Sequence, residues 1–129
     1  MKNLKHLALA LGLAGALLAP AQAQTADDGG LKIISDLALV NGQALACQEL
    51  QVASRAKNLM IAHAPKTARF GNAYEVGTQQ SYTAQIGGSA DCPSSAALTA
   101  KLDMLAQQLK ISLPATTPGA ASTTPTGTQ

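Results

Sequence analysis

Aromatic and charged side chains are both scarce in this chain. There is no Trp, one Phe and two Tyr, and charged residues make up only 12% of the 129 positions. Any core must therefore be built mainly from Leu and Ala, with three aromatic rings to add bulk. Also missing are a C-x-x-C pair, a nucleophile elbow, a haem-attachment sequence and a dense acidic metal loop. Gly87-Gly88-Ser89 lacks the following Lys that a phosphate cradle requires. Histidine is almost absent too: one of the two lies at position 6, leaving His63 alone in the body of the chain. Catalysis has few tools here, and the sequence is read as that of a non-enzymatic protein needing no cofactor.

What is present begins with an export pattern. Lys2 and Lys5 give Met1–His6 a positive head, and Leu7–Ala19 is an uncharged run of Leu, Ala and Gly. Pro20 ends that run short of the ~20 apolar residues that a spanning helix needs. Ala21-Gln22-Ala23 then offers small residues where a signal peptidase requires them. Residues 1–23 are expected to be a cleavable signal peptide, leaving a periplasmic or secreted protein without stable membrane insertion. No Cys follows the apolar run, so a lipid anchor has no attachment point. Removing Lys2 and Lys5 from the nine basic residues leaves seven, against seven acidic ones. A neutral chain with interspersed charges has no basic stripe for phosphate backbones, which argues against nucleic acid as a partner.

Two cysteines, Cys47 and Cys92, fall in the exported part. In an oxidising compartment an even count in a small domain reads as a disulfide. Closing so long a loop stabilises by up to about 4 kcal/mol in the chain-entropy account.

The remaining pattern is helical. Residues 24–30 read as a polar, Gly-ended leader, and Leu31–Val40 as a short helix or a strand stopped by Asn41-Gly42. Gln43–His63 reads as a long helix with Leu45, Val52, Ala56 and Leu59 on one face. Ala64-Pro65 ends it, because the residue before proline avoids the helical region. Thr67 can cap a second long helix to about Ile86, with Phe70, Ala73, Tyr74, Gly77, Ser81 and Ala84 in a stripe. Asp91 or Ser94 can cap a third, whose seam is Leu98, Leu102, Leu105 and Leu109. The expected fold is an all-α, small up-down bundle over residues 31–112, with three long helices and a short N-terminal one. One disulfide clasps it, tying the starts of the first and third long helices at the same end. Residues 113–129 are Pro, Thr, Ala, Gly and Ser almost throughout, so they are expected to be a disordered tail.

Several residues could carry chemistry. Met60 and His63 share one helix face, one turn apart, and could be half of a soft-metal site, although two ligands rarely suffice. Glu49 lies fourteen residues from His63, about 21 Å along one helix, which precludes an acid–base pair from that helix. A pairing of Glu49 with Glu75 or Asp103 is not required by any spacing. Phe70 and Tyr74 stack one turn apart, and Tyr82 falls off the stripe at a rim. The first functional expectation is an exported interaction or accessory protein that binds a protein partner through a helix face. The alternative is a small-ligand or metal carrier with a pocket near Met60, His63, Phe70 and Tyr74.

Overall fold

The computed structural model describes residues 22–115, and these form four helices joined by short connections. They are α1 (Gln22–Ala46), α2 (Leu50–His63), α3 (Ala68–Gly87) and α4 (Ser95–Ser112). Among the described residues the fold is all-helical, and Cys47 and Cys92 are joined in a disulfide with a Cα–Cα distance of 5.7 Å. No described helix is long and apolar enough to cross a membrane. The expected signal peptide lies outside the described residues except for Gln22 and Ala23, which open α1. The expected tail lies outside them beyond Ala115.

The N-terminal part departs most from the sequence reading. Gln24–Gly30 is the start of α1 and not a leader, and Asn41-Gly42 does not stop the helix. The short N-terminal helix is in fact the longest, at 25 residues, and it contacts each of the other three. Tertiary packing overrides the local signals. Gly30 is buried against Leu113, where an added Cβ would stand 2.8 Å from the leucine Cδ2. Gly42 is buried against the backbone of α3. Asn41, also buried, donates from Nδ2 to Thr78 Oγ1 at 3.1 Å, which satisfies a side chain that would otherwise favour a turn.

The expected long helix over Gln43–His63 is broken at Cys47–Glu49. Glu49 N–H donates to the Ala44 carbonyl at 2.8 Å and Gln48 N–H to that of Leu45 at 3.3 Å. These two bonds close a Schellman turn, with Gln48 in the left-handed position (φ 61°) that glycine usually fills. The break explains why Cys47 does not share the Val52–Ala56 stripe: it sits in the turn between α1 and α2.

Later boundaries follow the sequence closely. α2 ends at His63 before Pro65, α3 ends at Gly87, and Ser94 caps α4 by accepting from the Ala97 N–H at 3.2 Å. Thr67 holds the N-cap position of α3 but makes no side-chain capping bond. The inner face of α4 is the expected one, with Leu98, Leu102, Leu105 and Leu109 all buried. With Ile34, Leu37 and Phe70 they form the core, which Val52, Ala53 and Ala56 of α2 complete.

Cross-helix contacts set the directions. Arg69 is paired with Asp27 and Asp28, Gly77 abuts Ala38, and Ser81 Oγ donates to the Leu39 carbonyl at 2.7 Å. α1 and α3 therefore run the same way. Arg55 meets Asp103 at 2.6 Å and His63 meets the Leu113 carbonyl at 2.6 Å, so α2 and α4 also run the same way. Gly30 lies against Leu113 while Val40 and Leu105 line one groove, which makes α1 and α4 opposed. The C-terminal ends of α1 and α3 and the N-terminal ends of α2 and α4 thus gather at one pole, where the disulfide sits.

Candidate functional site

The pole at the disulfide is where exposed apolar side chains and a fixed backbone coincide. The turn at Cys47–Glu49 is held by the Schellman bonds, and Cys92 ties the segment ahead of α4 to it. Around this clasp, Leu45 lies in the last turn of α1, Leu50 opens α2, and Tyr82 and Ile86 stand one turn apart towards the end of α3. Leu50 is 64% exposed and Ile86 60%, values far from those of core residues. Leu45 and Tyr82 are exposed as well. In residues 43–54 and 79–97 the charged side chains are Glu49 and Asp91. The pole is thus weakly acidic, with four large apolar side chains exposed among glutamine and serine.

The residues singled out from the sequence do not converge. Cys47 is half-buried and Cys92 exposed, consistent with their place at the rim. Tyr82 is on that rim. Phe70 is buried in the core at 1% exposure, and Met60 and Tyr74 are partly buried against it. His63 lies towards the opposite pole. There it lines a depression of about 300 Å³ with Ala64, Pro65, Lys66, Ser112, Leu113 and Pro114, which neither Phe70 nor Tyr74 enters. Its Nδ1 is 2.6 Å from the Leu113 carbonyl oxygen. A carbonyl can only accept, so Nδ1 carries the proton and fastens the end of α4 to the end of α2. Leu113 is accordingly part of the folded domain and not of the tail. Among the described residues no three His, Cys, Asp or Glu side chains come together as metal ligands would.

Tyr74 has a feature of its own. Its hydroxyl is buried with no hydrogen-bond partner, and burial pushes the phenol from its ordinary 10.0 up to about 12. Glu49 is the half-buried N-cap residue of α2, without a capping bond from its side chain. Asp103 pairs with Arg55 and not with Glu49.

Leu45, Leu50 and Ile86 were not legible as surface residues. Leu45 fits the stripe of a continuous helix through Cys47, and only the break at Gln48 moves it to the outside. A second groove, of about 350 Å³, runs between α1 and α4 over Leu39, Val40, Met104 and Leu105, bordered by Asp36 and Lys101.

No family model matches this chain, and no curated protein or solved structure matches it.

Proposed function

We propose that this is an exported interaction protein whose binding surface is the pole around Cys47–Cys92. The single observation that carries the reading is that Leu45, Leu50, Tyr82 and Ile86, all exposed, belong to the helix ends that meet at the covalently tied pole. Burial of such side chains on association is favourable, at about 25 cal/mol per Å² of apolar surface. A clasped backbone loses little conformational freedom when they are covered. Glu49 and Asp91 set the polarity of the partner: an apolar patch bordered by Lys or Arg. The disulfide fits an oxidising compartment, and the sequence of residues 1–23 supplies a route to one.

The test is affinity purification from the exported fraction with tagged wild-type protein and with a Leu50→Asp/Ile86→Asp variant. Both positions are exposed, so the variant should keep its helical circular dichroism and its Tm. The reading expects a defined partner on the wild type that the variant loses. A partner retained equally by both, or none on the wild type, contradicts it.

A further inference from the structure

A different surface carries a second inference, independent of the pole. The outer face of α4 bears Ala97, Ala100, Met104, Gln107 and Ile111, all exposed. They are spaced three and four residues apart, which is the spacing of a helix-pairing seam. Met104 is 61% exposed and Ile111 82%, the latter the most exposed large apolar side chain among the described residues. The inner face of the same helix already spends its leucines on the core, so this second stripe has no partner within the fold. Leu39 of α1, 46% exposed, shares the adjoining groove with Met104 and widens the apolar strip.

We infer that this face pairs with the α4 of a second copy, antiparallel, in a two-fold dimer. The direction follows from size and charge. In the antiparallel register Ala100 meets Ile111 of the other copy, small against large, and Met104 meets its Gln107, two unbranched side chains of similar length. The same register brings Asp103 of each copy beside Lys110 of the other, giving two ion pairs across the axis. A parallel pairing would stack Ala100 on Ala100 and Ile111 on Ile111, leaving a void at one end and crowding at the other. It would also set Asp103 beside Gln108, with no charge to meet. Asp103 already contacts Arg55 at 2.6 Å, so Lys110 from the second copy would join an existing exposed pair. Two heptads form a short seam, and the association is correspondingly reversible. An antiparallel dimer of this kind sends its two disulfide poles to opposite ends.

Sedimentation equilibrium of the oxidised exported protein tests this. The wild type should show a concentration-dependent dimer. Met104→Glu combined with Ile111→Glu should be monomeric with unchanged helicity, and should match the wild-type Tm at concentrations where the wild type is also monomeric, since both positions are exposed. Asp103→Lys should raise the dimer Kd about tenfold, by setting like charges together, and adding Lys110→Asp should restore it. A wild type that is monomeric at millimolar concentration overturns the inference. So does a dimer indifferent to the seam variants, a charge reversal without effect, or a double charge swap no tighter than the single one.

Discussion

Gly42 and Ser81 approach so closely that a Cβ on Gly42 would stand 2.6 Å from the Ser81 Cβ. It would also lie 2.7 Å from the Tyr82 nitrogen and against the Thr78 carbonyl oxygen. Two of these three neighbours are backbone, so the clash cannot be relieved by a rotamer change. Gly42→Ala should gain about 1 kcal/mol of helix propensity and lose about 3 to overpacking, a net destabilisation of about 2 kcal/mol. Gly71→Ala is the control. No atom lies within 4 Å of a Cβ built there, so it should stabilise α3 by up to about 1 kcal/mol. Urea denaturation of the two variants should give opposite signs.

Gln48 occupies the left-handed position of the α1–α2 turn with φ 61°. A side chain there opposes the conformation by about 1 kcal/mol relative to glycine. Gln48→Gly should therefore raise stability by about 0.5–1 kcal/mol, although glycine is normally the more disordered residue in the unfolded chain. Chemical denaturation checks it, and a loss of stability would show that the turn is held otherwise.

Tyr74 supplies a prediction with a pH signature. Its buried hydroxyl has no partner, so Tyr74→Phe should stabilise by about 1 kcal/mol at neutral pH. The phenol is raised from 10.0 to about 12 in the folded state. Between those values the unfolded chain gives up the proton while the folded one retains it. Proton linkage at Tyr74 therefore costs nothing below pH 10 and lowers stability progressively as pH rises towards 12. Stability measured across this range should fall less steeply in Tyr74→Phe than in the wild type.

Removing the clasp should weaken the fold without changing its secondary structure at low temperature. Cys47→Ala/Cys92→Ala closes off the cross-link over a sequence separation of 45, and the expected loss is about 2–4 kcal/mol. Thermal unfolding monitored by circular dichroism measures it.

Much of this was legible in the sequence where local chemistry and packing agree. The α4 seam could be read because Leu98, Leu102, Leu105 and Leu109 recur on one face, with Ser94 ahead of them to cap. Pro65 and Gly87-Gly88 stop their helices, and Cys47–Cys92 pair as an even count suggests. The reading failed where a signal means one thing locally and another in contact. Asn41-Gly42 is a turn pair in isolation, yet against α3 the glycine makes room and the asparagine finds Thr78. Gln48 carries no turn signal at all, so the break beside Cys47 was invisible, and with it the outward placement of Leu45. Met60, His63, Phe70 and Tyr74 share helical stripes, but a stripe does not say at which depth each residue ends.

Site-specific photocrosslinking at the disulfide pole is the most direct measurement of the proposed activity. A photoreactive residue at Ile86, on the rim, is compared in cells producing the protein with one at Asn72, equally on α3 but nearer its start. A discrete adduct with another protein is expected from position 86, lost on Leu50→Asp, and none from position 72. Equal adducts from both positions, or none from position 86, would contradict the proposed activity.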